Sequence, residues 1–318
     1  DLWKAEVILN DDTADSESRN SSELLVVSNT APTFTSVTIN ATSSNNATND
    51  NITIRINGIS DAEGNVVTNI TTWYLNNASI MVLNMPFDTN SITTARDYTR
   101  YGNNGTVTNG TLWNATGYIG GAYTFDGIND FIRISHDGSL NISNSITIVA
   151  WINPFAIANS VILSKRNTDG SLRNYQLAIL ATGEMQYCTP SGCNSSSGAS
   201  LQANGGWTFI AVTYNGTNIT FYKNGTIVSS IINTNGFTNN NQELDIGSYA
   251  GGAGSFYNGT MDEVRIYNRT LTVGQIFALY QNRTDLIHAN ETSRGDRWKA
   301  EVILNDDTAD SESRNSSE

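Results

Sequence analysis

Carboxyl, imidazole and hydroxyl side chains occur in this sequence without the spacing that glycosidases or serine hydrolases need. Glycoside hydrolysis needs two carboxyl groups about 5–9.5 Å apart in one cleft. The run Glu243-Leu-Asp245 comes nearest to such a pair, and no further carboxylate continues it. The only histidines, His136 and His288, lie far apart, and the chain has no Gly-X-Ser-X-Gly motif for a serine nucleophile. We therefore expect no enzymatic activity.

Attachment of N-linked sugar is the chemistry that the sequence favours most. Asn-X-Ser/Thr occurs 19 times, whereas 42 Asn and 69 Ser or Thr in 318 residues would give about 9 by chance (42 × 69/318). The alternative is that an Asn- and Thr-rich β protein forms these triplets by accident. We expect N-linked glycans on surface loops at many of the sites: Asn20, Asn40, Asn46, Asn51, Asn69, Asn77, Asn104, Asn109, Asn114, Asn141, Asn194, Asn215, Asn218, Asn224, Asn258, Asn268, Asn282, Asn290 and Asn315.

The two cysteines lie close together in the run Cys188-Thr-Pro-Ser-Gly-Cys193. Pro and Gly between them favour a tight turn, so the two thiols can meet across a hairpin. Zinc would need more ligands than two Cys and two distant His supply. We predict a local disulfide, which fits an oxidising, extracellular compartment.

The charge balance excludes two kinds of partner. Lys plus Arg number 17 against 30 Asp plus Glu, which gives a net charge of −13. Nucleic acids and anionic membranes both attract clustered cations, so neither is expected to bind. No run reaches the roughly 18 apolar residues that a membrane helix requires. Aromatic, Val and Ile residues are numerous enough to form cores, so disorder is a poor interpretation.

A repeat relates the two ends of the chain. Residues Trp3–Glu23 are identical to Trp298–Glu318, at an offset of 295 residues. A strand-forming segment cannot complete the same domain twice, so one copy must pair with material outside these 318 residues. Tandem units on one long polypeptide and subunits that exchange strands both satisfy this, and both give a linear fibre of copies of this chain. The alternative is a two-copy protein with no polymeric role.

The pattern of apolar residues predicts an all-β protein with one short helix. Alternation predicts strands over residues 51–56 and 70–75, with Trp73 as a core residue. Asn224-Gly225 predicts a hairpin turn. Between Leu271 and Gln281 the apolar residues follow helical spacing, at Val273, Ile276, Phe277 and Tyr280.

Two families are suggested by longer runs of residues. The runs N-T-A-P, S-D-A-E-G-N, T-T-W-Y-L-N-N and, after about 220 residues, G-D-R-W-K-A-E-V resemble Ig-like or PKD-like repeats of archaeal surface proteins. No cysteine pair brackets Trp73, unlike in antibody domains. Residues 82–282 resemble laminin-G-like, concanavalin A-type jelly rolls, through M-P-F-D, G-G-A-Y-T-F-D-G-I-N-D-F-I, S-I-T-I-V-A-W-I, G-W-T-F-I-A-V-T-Y, F-Y-K-N-G and M-D-E-V-R-I-Y-N-R-T-L-T.

The two resemblances together imply that a jelly roll is inserted into a loop of an Ig-like β-sandwich. The expected divisions are terminal strands of a preceding Ig-like repeat at 1–28, a first Ig-like part at 29–80, the jelly roll at 81–284 and a second, incomplete Ig-like part at 285–318. Insertion is tolerated where two strand ends lie close together at a surface.

The jelly-roll resemblance implies a structural Ca²⁺ ion, held by Asp side chains and loop carbonyls. Asp97 and Asp262 match family positions near the first loop and the last strand, and Asp126 with Asp130 is the second candidate pair. Asp residues that cap turns are the alternative. The acidic turn at residues 305–312, repeated at 10–17, lacks the EF-hand pattern, so we expect a solvated turn there.

The resemblances lead to two hypotheses of function. The first is a structural subunit or tandem repeat of a glycosylated extracellular filament, joined linearly through its Ig-like units. The second is a cell-surface adhesin whose jelly roll binds carbohydrate or a protein partner. Aromatic residues in predicted loops are the candidates for stacking on sugar, or else pack within the loops: Tyr98, Tyr101, Trp113, Tyr249, Phe256 and Tyr257.

Overall fold

The computed structural model describes residues 2–25, 28–43, 47–198 and 200–317. The chain divides into two compact units, residues 1–30 and residues 31–318. The first unit holds two short antiparallel ladders, in which β1 pairs with β4 and β2 with β3. Its strands are β1 (Leu2–Trp3), β2 (Glu6–Val7), β3 (Arg19–Asn20) and β4 (Leu24–Leu25).

The second unit begins with four strands and then enters the jelly roll. The first four are β5 (Ser36–Ala41), β6 (Ile52–Asn57), β7 (Thr68–Leu75) and β8 (Ala78–Ser79). The jelly-roll strands are β9 (Met81–Met85), β10 (Thr94–Ala95), β11 (Gly105–Thr108), β12 (Leu112–Asn114), β13 (Ala122–Asp126), β14 (Phe131–Ile134), β15 (Ile146–Pro154), β16 (Ser160–Arg166), β17 (Arg173–Ile179), β18 (Met185–Thr189), β19 (Gly192–Ser195), β20 (Thr208–Tyr214), β21 (Asn218–Lys223), β22 (Thr226–Ile232), β23 (Leu244–Ile246) and β24 (Asn258–Tyr267).

The jelly roll consists of two antiparallel sheets of eight strands each. One has the order β10-β11-β14-β23-β16-β17-β18-β19. The other has the order β12-β13-β24-β15-β20-β21-β22, with β9 also paired to the long strand β24. Alternating apolar residues of both sheets fill the space between them, as in other β-sandwiches. The all-β jelly roll expected from the sequence is confirmed.

The chain then adds one helix and three strands, α1 (Val273–Tyr280), β25 (Leu286–Ile287), β26 (Trp298–Asn305) and β27 (Arg314–Asn315). β25 pairs with β6, and β26 pairs with β7. These pairings join the segments on either side of the jelly roll into a small sandwich of two sheets, β25-β6-β5 and β27-β26-β7-β8. Two short 3-10 helices, Gly138–Leu140 and Ala289–Glu291, complete the described elements of this unit.

The helix lies where its apolar spacing predicts it, although its buried face differs. The Thr272 side chain caps its first turn by accepting a hydrogen bond from the Gln275 amide. Ile276 is fully buried as expected, whereas Val273 and Phe277 are 49% and 42% exposed. The buried face is completed by Leu279 instead, because the helix packs with its Ile276–Leu279 side against the core.

A second apolar core lies on the outer face of the sheet that contains β15 and β20. Trp151 of β15 packs there against Phe209 and Tyr280, with ring centroids 5.5 and 5.8 Å apart. Trp73 of β7 and Trp298 of β26 belong to the same core, with their centroids 6.2 Å apart. β15 is therefore buried on both faces, and the jelly roll and small sandwich share one core.

Candidate functional site

The second copy of the repeat completes the small sandwich. β26 runs antiparallel to β7 over eight residue pairs, from Trp298 opposite Leu75 to Asn305 opposite Thr68. Its alternate side chains, including Val302 and Leu304, are fully buried. The chain therefore holds one copy of the repeat as an integral strand of the sandwich.

The same residues of the first copy are exposed. Trp3, Val7 and Leu9 have 63%, 55% and 71% of their surfaces exposed. Their equivalents in the second copy, Trp298, Val302 and Leu304, have 5%, 0% and 0%. The same apolar side chains are thus buried in the second copy and exposed in the first.

The acidic turn of the second copy is bound to the jelly roll. The Tyr98 hydroxyl donates to the Asp310 carboxylate at 2.9 Å, and the Arg96 guanidinium forms an ion pair with the same carboxylate. Asn305 donates to the Thr89 hydroxyl at 3.1 Å. A solvated turn is therefore wrong for this copy, because partners more than 200 residues away in sequence cover it.

Two buried carboxyl groups lie beneath the loop that connects β12 to β13. Asp262 accepts hydrogen bonds from the amides of Tyr118 (2.8 Å) and Ile119 (3.0 Å), all through Oδ2. Its Oδ1 is buried without a partner among the described residues. Asp88 accepts from the Gly121 amide at 3.3 Å. Sequence reasoning missed Asp88, although the M-P-F-D run contains it.

Burial raises the pKa of both carboxyl groups. Desolvation raises the pKa of Asp88 to about 7, and the Asp307 carboxylate adds to the rise. Desolvation also raises the pKa of Asp262 well above its ordinary value, with a smaller contribution from Asp88. Arg265 is the nearby cation, and it is already paired with Glu263. The cluster therefore favours bound protons or a cation over bare carboxylates.

The Asp residues predicted to hold calcium lie on different elements: Asp262 within β24, Asp126 at the end of β13 with Asp130 in the turn that follows, and Asp97 in the loop after β10. Asp97 accepts four hydrogen bonds, two on each carboxylate oxygen, three from its own loop and one from the Asn84 amide of β9. Asp126 and Asp130 share one turn, in which Asp130 Oδ2 accepts from the Asp126 amide at 3.0 Å. Among the described residues no three His, Cys, Asp or Glu side chains form a metal-binding group. Asp262 and Asp130 each keep one buried carboxylate oxygen without a partner among the described residues, which fits a hard cation at either place, and calcium stays a prediction.

A polar groove of about 190 Å³ opens on the sheet that contains β14, β23 and β16. Asp245, fully buried, accepts from Arg133 at 3.3 Å and from the Gly251 amide. Desolvation raises the pKa of this carboxyl, and Arg133 opposes the rise. At the groove Arg166 stacks on the Tyr249 ring with its guanidinium carbon 4.3 Å from the centroid. Arginine and carboxylate donors and acceptors beside an aromatic ring can bind a polar ligand.

The other candidate sugar-stacking aromatics divide by burial. Tyr98 and Tyr257 are 6% and 0% exposed, so they are packing residues. Trp113 is partly buried, and its indole donates to the Phe87 carbonyl at 2.7 Å. Tyr101 is 41% exposed, and Phe256 is partly exposed. Tyr249 does not line the polar groove itself, but its ring lies beneath Arg166, which does.

The structure places both kinds of predicted covalent modification, the disulfide and the sequon asparagines. Cys188 and Cys193 are joined by a disulfide across the β18–β19 hairpin. Asn46 lies outside the described residues, and none of the other 18 sequon asparagines is buried. Asn77, Asn109 and Asn224 have positive φ, which places them in tight turns. In the described part of the chain, no helix is long and apolar enough to cross a membrane.

The chain is similar to known proteins in its jelly roll. Residues 125–277 match the profile of the concanavalin A-like lectin/glucanases superfamily, of the laminin G type. No curated protein sequence matches the chain. Domain 4 of AbnA, a GH43 extracellular arabinanase from Geobacillus stearothermophilus, solved with arabinotriose, has a TM-score of 0.52 and 22% identity, over 63% of this chain and 98% of that one.

Two toxin domains share the fold at lower identity. The binding domain of Paraclostridial Mosquitocidal Protein 1 has a TM-score of 0.51 and 16% identity, over 64% of this chain and 52% of that one. The receptor binding domain of botulinum neurotoxin D has a TM-score of 0.50 and 14% identity, over 64% and 53%. The chain thus spans about half the length of these two domains. The profile match and the two eight-stranded sheets together identify a laminin-G-like, concanavalin A-type jelly-roll domain in this chain.

Proposed function

We propose that the protein is a structural repeat of a glycosylated extracellular fibre, joined linearly through the small sandwich, which we interpret as Ig-like. One observation carries the proposal. The segment that completes the sandwich at residues 298–305 recurs at residues 3–10 with its apolar side chains exposed. A contact between two different surfaces of identical units does not close on itself, so it extends into a line.

Three features support an extracellular location. The Cys188–Cys193 disulfide is typical of oxidising compartments. The sequon asparagines of the described residues are accessible to glycosylation. The arabinanase whose domain shares the fold is itself extracellular. The sequence offers neither a glycosidase carboxylate pattern nor a Gly-X-Ser-X-Gly motif, which supports a non-enzymatic role.

Electron microscopy of the native material tests the fibre. We expect filaments with an axial period that corresponds to one 295-residue unit. A denaturing gel then separates the two ways of joining units, because strand-exchanged subunits separate into chains of one unit each, whereas a covalent array stays far larger. Native particles that remain isolated monomers would contradict the proposal.

A second candidate function is binding of a carbohydrate or another polar ligand by the jelly roll, as in an adhesin. The groove lined by Arg133, Arg166 and Asp245 favours it, because it offers charged hydrogen-bonding groups, and the Tyr249 ring supports Arg166 from beneath. The similar arabinanase domain was solved with a bound trisaccharide. Binding to a glycan array should be lost in Tyr249→Ala. The matched control is Tyr101→Ala, which removes another ring beneath an arginine, 5.9 Å from it, outside the groove. Equal binding by both variants would exclude this site.

A further inference from the structure

The two copies of the repeat form the same hairpin. In the first copy Asn10 donates to Asp15 at 2.5 Å, and in the second Asn305 donates to Asp310 at 2.7 Å. The left-handed turn residue also recurs, with a φ of 73° in the first copy and 69° in the second. Two bonds from a backbone amide to a serine hydroxyl also recur. The Ala5–Ser21 bond (3.0 Å) corresponds to Ala300–Ser316 (3.0 Å). The Leu9–Ser16 bond (2.9 Å) corresponds to Leu304–Ser311 (2.8 Å).

The first hairpin is therefore already shaped for the place that the second one fills. β2 belongs to a ladder of two strands, β2 and β3, whereas its counterpart β26 also pairs along its other edge with β7. An open strand edge and an exposed apolar face are the two features by which a strand adds to a foreign sheet. Because the hairpin needs no refolding, little conformational entropy opposes its docking.

We propose that residues 3–22 of one molecule dock on β7 of a second copy of this chain, in the register that residues 298–317 hold here. This rests on the proposed function and specifies its joint. The offset of 295 residues places Glu6 opposite Thr72 and Ile8 opposite Ile70, as Glu301 and Ile303 are in this structure. Residues 3–22 and 298–317 are thus alternative occupants of one acceptor edge.

The same docking also reaches the jelly roll of the acceptor. Asp15 is the equivalent of Asp310, whose carboxylate binds Arg96 and Tyr98. A docked first hairpin therefore presents Asp15 to a guanidinium and a phenol of matching chemistry. The joint contacts both the small sandwich and the jelly roll, so it fixes the orientation of both.

The experiment weakens the resident hairpin of the full-length chain and asks whether the first hairpin replaces it. Val302→Asp puts a charge into the core of the small sandwich, which frees the β7 edge. Analytical ultracentrifugation should then show oligomers in steps of one chain, absent from Val7→Asp. The double variant Val7→Asp/Val302→Asp should lose them. The same size distribution for Val302→Asp and the double variant would overturn the proposal.

A disulfide cross-link tests the register directly, and a second acceptor variant serves if Val302→Asp does not fold. A chain with Glu6→Cys is mixed with a chain carrying Thr72→Cys and Val302→Asp, and a disulfide-linked dimer is expected. An acceptor with Asn69→Cys in place of Thr72→Cys should link at least tenfold less. Asp310→Lys, which repels Arg96, is the second acceptor variant if Val302→Asp does not fold. Equal linking at both positions would refute the register.

The fibre and the joint between its units can be refuted independently. Native filaments whose units do not cross-link between positions 6 and 72 would leave the fibre standing and remove this joint. Cross-linked dimers from a protein that is monomeric in its native setting would leave the docking and remove the fibre.

Discussion

The repeat supplies two identical leucines for comparison, Leu9 and Leu304, of which one is 71% exposed and the other fully buried. Replacing a buried leucine with alanine costs about 2–5 kcal/mol, since it removes apolar contacts and leaves a cavity. Leu304 packs with Phe34, Val37 and Val302, so we expect Leu304→Ala to lower the free energy of unfolding by about 3 kcal/mol. Leu9→Ala should change it by less than about 0.5 kcal/mol, as is usual for exposed sites.

Calorimetry of the monomeric protein measures the difference. At roughly 2 °C per kcal/mol for a large unit, Leu304→Ala should lower Tm by about 6 °C and Leu9→Ala by about 1 °C or less. The local sequence is the same around both leucines, so propensity and unfolded-state effects cancel between the two variants. Similar losses from both variants would refute the assignment of the second copy as the buried strand.

In an assembled fibre we expect Leu9→Ala to be destabilising as well. Docking covers Leu9 as Leu304 is covered here, so Leu9→Ala should become as costly to the joint as Leu304→Ala is to the fold. We expect Leu9→Ala fibres to dissociate at a lower urea concentration than wild-type fibres, although the two monomers have the same Tm. Identical dissociation midpoints would show that Leu9 stays exposed in the fibre.

Four further measurements follow from the buried groups and the modification sites. The pKa of Asp88 is about 7 in the folded protein and near 3.8 in the unfolded chain, so the stability that protonated Asp88 contributes is full below about pH 4 and is lost as the pH rises to about 7. Asp88→Asn should therefore raise Tm at pH 8 and make Tm depend less on pH between 4 and 7. If Asp88 and Asp262 share a cation, Ca²⁺ should raise Tm at pH 8 and EDTA should reverse it, whereas an unchanged Tm would exclude calcium there. Cys188→Ala/Cys193→Ala should cost about 2 kcal/mol in urea unfolding; no change would make the disulfide dispensable. Intact mass should exceed that of the bare polypeptide and fall on enzymatic deglycosylation.

Local features of the fold could be read from the sequence. Trp73 is 3% exposed in β7, as an aromatic residue within an alternating strand predicts. Asn224 and Gly225 both have positive φ and close the β21–β22 hairpin. The helix is found because its apolar spacing and its Thr272 cap are properties of neighbouring residues. All three depend on contacts within a few positions, which one sequence contains.

Features that depend on distant pairings could not be read in the same way. The Asp88 charge raises the pKa of Asp262, 174 residues away in sequence, because β9 and β13 both pair with β24, and no local pattern indicates that. Asp97 is a ligand candidate by residue type, but amides of its own loop and of Asn84 in β9 hydrogen-bond to both of its oxygens. The outer face of β15 did carry a signal, since Val149 and Trp151 are too apolar for a solvated face.

That outer face determines how the jelly roll is held. Trp151 shares a core with Trp73 and Trp298, so the jelly roll is packed against the small sandwich and does not hang from it by loops. Trp298 belongs to the repeat, and the hairpin that supplies it also binds Arg96. In a fibre built through this hairpin, the side chains that hold two units together therefore also set the angle of each jelly roll. The fibre would then present its polar grooves at a regular spacing and a fixed orientation, which makes multivalent binding of a repetitive ligand possible.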